Sequence, residues 1–367
     1  MNPEPQVRLY VGEHYREPKL FTHVELLFPF WGVTAKDSMP YVRSSVLQYQ
    51  YQKKDFTLVE HISEADYVLL PYNYARLRAV NPKKLAMILE EAHRAGKPII
   101  IDGAGDIERP ITVPNSVILR VSQYRYSVQP NEITIPFSAE DLLETYVNST
   151  LPERIKTDTP SIGFTGWADI TPLTRAKLFV KELPIYWVSM FDRKRGAEHK
   201  GLIFRKRALA SLAHTEGIIA NITVRASYSG HVKTIQGSVQ NNRSEFVKNL
   251  LESDYALVVK GDANSSVRFY EALSLGCVPV FIDTACVLPL EDTLTYREFC
   301  VFVDWQDVDR VGEKLREFHA AISPEQFKRM RELGRTAYRD FLRKDSFSQY
   351  LAANLRKRLS ENKLSTS

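Results

Sequence analysis

Cysteine is scarce in this chain of 367 residues: there are three, Cys277, Cys286 and Cys300. An odd number crowded into the last third gives no disulfide framework and no pair at zinc spacing, so a reducing compartment is expected. Long apolar runs are missing too. The apolar stretches are strand-length, short of the roughly 20 residues that cross a bilayer, and MNPEPQVRLYVGEHYREPKL at the start holds no basic segment followed by an apolar run. A soluble, cytoplasmic protein is expected, with the sequons at Asn148, Asn221, Asn242 and Asn264 read as chance. Charge is nearly balanced, 49 Lys and Arg against 44 Asp and Glu for a net +5. That lacks the clustered basic character of a nucleic-acid binder, and no nucleic-acid partner is expected. Internal repeats and low-complexity segments are also lacking. The first βα turn supplies only Gly12 where a dinucleotide site needs G-x-G-x-x-G, which argues against a nicotinamide-dependent dehydrogenase.

What is present is an alternation of strands and helices, the pattern of an α/β protein with parallel sheets. RLYV (8–11), DYVLLPY (66–72), KPIIID (97–102) and SVILRVS (116–122) are short apolar runs ending in polar or turn residues, as buried parallel strands do. Between the second and third, Leu85, Ile88, Leu89 and Ala92 recur at helical spacing, with Pro82 near the start and Gly96 at the end. A short helix is expected over 139–147. NSTLPERIKTDTP is polar and without periodicity, which predicts a linker. A second series follows: strands at SIGFTG, PIYWVSM, GIIANITVRA, 255–259, 278–282 and CVFVDW, helices at FRKRALASLAHTEG and SEFVKNLLESD, and nearly continuous helix from Asp307 to about Leu359. The expected organisation is a Rossmann-like domain over 1–150, a linker over 151–160, a second Rossmann-like domain over 161–322, and C-terminal helices over 323–367 that cross back onto the first domain. Two doubly wound units facing a cleft would take a ligand at the carboxyl ends of their strands.

The segment richest in chemistry runs from Asp254 to Phe299. A strand leads into the turn Lys260, Gly261, Asp262, Ala263, Asn264, then a helix opening near Ser265 or Ser266, a stop at Gly276, and another strand. Unsatisfied amides and the positive dipole end of such a helix form an anion site that a diphosphate fits. Arg268 and Glu271 share one stripe of that helix. A guanidinium near the phosphate end and a carboxylate one turn on suit a nucleotide, the first neutralising a diphosphate and the second accepting from ribose hydroxyls. A solvated surface pair is the plain alternative.

LVVKGDANSSVRFYEALSLGCVPVFIDT, followed by LPLEDTLTYREFCVFVDW, resembles the donor-site signature of exostosin-type glycosyltransferases. SEADYVLLPYNY, IGFTGWAD with RKRALASL, and SQYRYSVQPNEITIPF resemble further segments of that family more loosely. The resemblance implies a two-domain GT-B fold and an inverting, metal-independent transfer of a sugar from a nucleotide diphosphate donor, a UDP-sugar first among them, to a saccharide hydroxyl. It implies no cofactor. Ser265, Ser266 and Arg268 would hold the diphosphate and Glu271 the ribose. The animal and plant members carry an export anchor, cysteines and a long N-terminal half that are not expected here, and a bacterial or viral polysaccharide pathway is expected instead.

Inversion needs a base on the face opposite the leaving diphosphate. In IIIDGAGDIERP, Asp102 ends a strand and Asp106 follows a Gly-Ala-Gly turn; each is a candidate base or a turn-forming carboxylate. His14 and His23 are further candidates. Charge on the departing diphosphate would be met by Arg268, the helix N-terminus, Lys260, and Arg205 or Arg207, unless these last two form a solvated helix face. Gly163, Thr165 and Gly166 would let backbone approach the donor. Tyr72, Tyr74, Tyr124 and Tyr126 could line an acceptor groove by stacking on sugar faces. Asp307 and Asp309 form the single Asp-x-Asp, read as acids of a helix start rather than metal ligands. Basic C-terminal helices could touch anionic lipid, which would suit a lipid-linked acceptor and a peripheral position at a membrane. A non-catalytic nucleotide- or glycan-binding scaffold is the alternative function.

Overall fold

The structure, a computed structural model, describes residues 5–33, 46–105, 109–168, 172–225 and 238–366, with 172–175 and 362–366 as backbone only. The chain forms two compact units, one of 1–123, 127–138 and 339–367, the other of 124–126 and 139–338. Each holds one parallel sheet flanked by helices, which is the expected α/β class.

In the first unit the strands are β1 (Val7–Tyr10), β2 (Phe56–Val59), β3 (Tyr67–Leu69), β4 (Ile99–Asp102), β5 (Ser116–Arg120) and β6 (Glu132–Thr134). They lie in the order β2-β1-β3-β4-β5-β6, all parallel. The order reverses at β1, as in a doubly wound sheet. Side chains alternate across the sheet. Val68, Leu70, Ile99 and Ile101 pack against Leu85, Ile88 and Ala92. These last belong to α2 (Pro82–Arg94), which follows α1 (Tyr74–Val80). Asn73 and Asn81 start these helices, their side chains accepting from the amides of Arg76 and Lys84. Tyr67 points the other way and donates its hydroxyl to Leu355 O at 2.8 Å.

The second unit contains α3 (Leu142–Tyr146), β7 (Ser161–Trp167), α4 (Pro172–Phe191), α5 (Gly201–His214), β8 (Ile219–Arg225) and α6 (Val239–Leu251). Then come β9 (Tyr255–Val258), α7 (Val267–Ser274), β10 (Val278–Asp283), β11 (Val301–Asp304), α8 (Val311–Ala321) and α9 (Pro324–Ala337). The strand order is β11-β10-β9-β7-β8. Tyr255, Leu257, Val280 and Ile282 face a core with Phe204, Leu315 and Phe327, while Ala256 faces one with Leu142, Phe246 and Ala272. Burial on both faces explains why these strands read as continuous apolar runs. Gly276, at φ +63°, ends α7 in a backbone state that side chains rarely adopt. The final helix, α10 (Lys344–Thr366), belongs to the first unit.

The structure corrects two expectations. PIYWVSM is part of α4 and not a strand. Its β-prone residues are outweighed by a stripe at helical spacing, Leu178, Glu182, Ile185 and Ser189, which carries the helix's contact with the body. The Glu182 carboxylate there takes His199 Nδ1 at 2.8 Å and the Lys200 amide at 3.1 Å. The chain also changes units at Ala139, ahead of the polar 151–160 stretch, because Leu142 and Leu143 are buried with Phe246 and Val247.

Candidate functional site

In the second unit β7 runs first, β8 joins one side of it and β9 the other, so the carboxyl end of β7 lies at the point where the strand order switches. Open α/β sheets bind ligands there. Two guanidinium groups converge on that end. Arg268, in the first turn of α7, donates to Thr165 O at 2.6 Å and lies 4.5 Å from the centroid of the Phe164 ring. Arg205, on α5, donates to Trp167 O at 2.7 Å and lies 5.9 Å from the same ring. Gathering two cations on carbonyls and one aromatic face concentrates positive potential at the sheet edge.

Three details fit an anion at this edge. A Cβ on Gly166 would stand 2.8 Å from Arg268 Nη2, so glycine leaves the guanidinium in this position and a larger residue would displace it. The Thr165 hydroxyl is buried and has no hydrogen-bond partner among the described residues. Ser266 is the N-cap of α7 but makes no side-chain cap bond, unlike Asn73, Asn81, Asp141, Ser238 and Ser323 at other helices. The first amides of α7 are thus not met by the side chain that would ordinarily cap them.

The other donor candidates hold the turn itself. Lys260 is buried and gives Nζ hydrogen bonds to Tyr124 Oη at 2.8 Å and Ala197 O at 2.7 Å. The Gly261 amide donates to Ser265 O at 3.1 Å. Asn264 donates to Thr284 O at 3.2 Å and accepts from its hydroxyl. Gly163 lies mid-strand, where a Cβ would meet Asn249 and Ser253 at 2.6 and 2.7 Å, so packing explains it.

Glu271 does not stand beside Arg268 as a free carboxylate. Its Oε1 accepts from Arg243 Nη1 at 2.6 Å, and Arg243 is bound in turn by Glu140 Oε2 at 2.9 and 2.7 Å. This triad is almost entirely buried. Sequence spacing put the two side chains on one stripe, but the helix turns Arg268 to β7 and Glu271 to α6. Burial holds the Glu140 carboxyl above the usual glutamate range, and its neighbour Glu271 adds to the effect. Arg243 and Glu140 were invisible to motif reading, since a single arginine in an amphipathic helix carries no signal. Arg207, two residues from Arg205, faces away from this edge. It pairs with Asp309 at 2.5 Å on the surface, while Asp307 pairs with Lys314 at 3.0 Å, so each acid of the Asp-x-Asp has its own cation.

The tyrosines divide between the units. Tyr72, in the first, is buried and its hydroxyl accepts the Glu17 amide at 2.9 Å, while Tyr74 opens α1. Tyr124 and Tyr126 belong to the second, stacked with centroids 5.4 Å apart. A backbone bridge from Tyr124 to Cys286 and the bond from Arg125 N to Ala285 O, 2.7 Å, bring them there. Tyr126 helps line an open hollow of about 480 Å³ with Arg125, Arg193, Lys194 and Trp305, at the carboxyl ends of β10 and β11. Sequence reading found Tyr126 but not the hollow, whose walls come from separate segments.

In the first unit, Asp102 Oδ1 accepts the Ala104 amide at 2.8 Å and Asn73 Nδ2 at 3.2 Å, a turn-forming role. Burial raises its pKa above the usual aspartate range. Asp106 lies outside the described residues. His23 bonds Gly32 O at 2.7 Å, and His14 meets Glu91 at 3.0 Å.

Residues 187–318 match the model of the Exostosin GT47 domain, a span that includes Arg205, Arg243, α7 and Glu271. This segment belongs to the exostosin-type glycosyltransferase family. The exostosin-type segment is also similar to curated relatives. An Exostosin-1 homolog of Caenorhabditis elegans is 32% identical over 102 residues, 28% of this chain and 26% of that protein. Exostosin-1 of Drosophila melanogaster is 32% identical over 79 residues, 22% of this chain and 10% of that one. A probable glucuronosyltransferase of Oryza sativa subsp. japonica is 38% identical over 70 residues, 19% and 16%. The matches thus span about a quarter or less of these relatives. Among solved structures, a glycosyltransferase from Rickettsia africae ESF-5 aligns over 97% of each chain at 12% identity with a TM-score of 0.37.

Proposed function

We propose that this protein transfers a sugar from a nucleotide diphosphate donor, a UDP-sugar first among candidates, to a saccharide hydroxyl with inversion and without a metal. The observation that carries the reading is the pair Arg268 and Arg205 at the carboxyl end of β7, beside the uncapped start of α7. A diphosphate leaving group gains charge as the glycosidic bond breaks, and fixed cations and amides stabilise that charge without reorganising. In this reading the protein is a GT-B enzyme whose second unit holds the donor. Ser265 and Ser266 keep their part in seating the diphosphate. The hollow at Tyr126 and Trp305 suits the rest of the donor, with aromatic walls for a ring and Arg193 and Lys194 for charge. Glu271 acts through Arg243, and any ribose contact falls to its second oxygen. The acceptor hydroxyl loses its proton to a carboxylate of the first unit, Asp106 before Asp102. Polysaccharide or glycan biosynthesis, a lipid-linked acceptor and a cytoplasmic setting remain parts of this proposal. Among the described residues no helix is long and apolar enough to cross a membrane.

The test is release of free nucleoside diphosphate from a panel of donors with acceptor glycans, followed by mass spectrometry. Arg268→Ala should cut turnover at least about tenfold, the loss expected for one charge-assisted contact. Unchanged turnover would remove the site assignment. One observation favours a second reading, a nucleotide-binding scaffold: Asp102, the described carboxylate among the base candidates, holds its own turn. UDP binding by calorimetry with no transfer or donor hydrolysis across the panel would select it.

A further inference from the structure

Among the described residues, exposed large apolar side chains of the second unit cluster on α4, a 20-residue helix about 30 Å long. Leu178, Glu182, Ile185 and Ser189 form its inner stripe. The opposite side carries Phe179, Val180, Leu183, Trp187, Met190 and Phe191, with Trp187 62%, Met190 74% and Phe191 87% exposed. At 100° per residue these six fall within one contiguous arc of the helix. Isolated exposed apolar residues are ordinary, but a continuous face of this kind marks an interaction surface.

Charge decides what covers it. Lys177 and Lys181 lie one turn apart on a flank between the face and the inner stripe, and Arg193 and Lys194 follow its end; none of the four has an ion pair among the described residues. The acids nearby are already engaged: Glu182 is buried against His199, and Asp192 accepts the Lys194 amide. A second copy of the chain would bring these cations against their own kind, whereas anionic headgroups complement them. We propose that α4 is an interfacial helix that lies in the headgroup region of an anionic membrane, its aromatic face in the acyl boundary and Lys177 and Lys181 at the phosphates. This docking needs no nucleotide, so it stands whether or not the donor reading does.

The full chain should co-sediment with phosphatidylcholine vesicles containing phosphatidylglycerol and stay in the supernatant with pure phosphatidylcholine. Phe179→Ser with Trp187→Ser should lower vesicle affinity by about tenfold or more, and Lys177→Glu with Lys181→Glu should abolish the preference for anionic lipid. Both pairs are exposed, so melting temperatures should stay at the parent value and separate lost docking from lost folding. Trp187→Phe should retain binding but lose the blue shift of tryptophan emission on vesicle addition. The proposal is overturned if the parent protein does not sediment with anionic vesicles, or if the serine pair sediments as the parent does. It is equally overturned if sedimentation velocity finds a dimer that the serine pair dissociates, which would assign the face to a second copy.

Discussion

Gly166→Ala tests the donor-site geometry without removing a charge. The new Cβ would lie 2.8 Å from Arg268 Nη2, where ordinary contact begins at 3.4 Å, so the guanidinium must retreat by roughly 0.6 Å. Its 2.6 Å bond to Thr165 O would be lost or bent. Hydrogen bonds to charged groups are worth about 1.5–3 kcal/mol, which converts to a factor of roughly 10 to 150 if the same displacement is felt by a bound diphosphate. Stability should change little, since the obstructed atom ends a flexible side chain. The assay is calorimetric titration with UDP in a double-mutant cycle of Gly166→Ala and Arg268→Ala. If Gly166 matters by leaving space for Arg268, the alanine at 166 has no further effect once Arg268 is gone. Additive losses would refute the reasoning, as would full affinity in Gly166→Ala.

The buried triad gives two more expectations. Arg243→Met leaves Glu140 and Glu271 facing each other without a cation, and thermal denaturation should show a loss of about 3–5 kcal/mol. Glu140 has a raised folded pKa, so its contribution to stability is fully present below the ordinary glutamate range and lost as pH rises through the raised value. Glu140→Gln should therefore flatten the fall in stability with pH above about 4.3, and an unchanged slope in urea titrations would show that this carboxyl is not its source. The pair Arg207 and Asp309 is largely exposed, so Arg207→Ala should cost under about 1 kcal/mol and leave turnover unchanged. EDTA should leave turnover intact; abolition restored by Mn²⁺ would return Asp307 and Asp309 to metal duty.

Where a stretch of chain carried its own physics, the sequence was enough. The strands at 99–102 and 278–283 are buried on both faces and read as unbroken apolar runs, and Pro82 and Gly276 bound helices through local backbone constraints. The helix N-terminus after Ser266 was legible for the same reason. PIYWVSM was misread because its residues favour strands while a single tertiary stripe through Glu182 decides for helix. The partners of Glu271 were not legible because spacing on a helix says which residues share a stripe, not which neighbours the helix will meet. Arg243 and Glu140 come from distant segments and meet only in the folded chain. The move of 124–126 into the second unit is likewise tertiary, fixed by the bridge at Cys286.

The family match begins at residue 187, whereas β7 ends at Trp167. The candidate diphosphate site straddles that boundary. Arg268 and Arg205 lie within the matched segment, but the carbonyls of Thr165 and Trp167 that orient them, the Phe164 ring beneath both, and the space left by Gly166 lie outside it. A helix carrying Ser-Val-Arg-Phe-Tyr-Glu could occur in an unrelated protein with its arginine turned to solvent. Here two guanidinium groups are aimed at one strand end, and a glycine of that strand leaves space for Arg268, so the matched and unmatched segments fit one another. The donor reading therefore draws its support from the contact between matched and unmatched chain rather than from the motif alone, and the Gly166 and Arg268 cycle interrogates that contact directly.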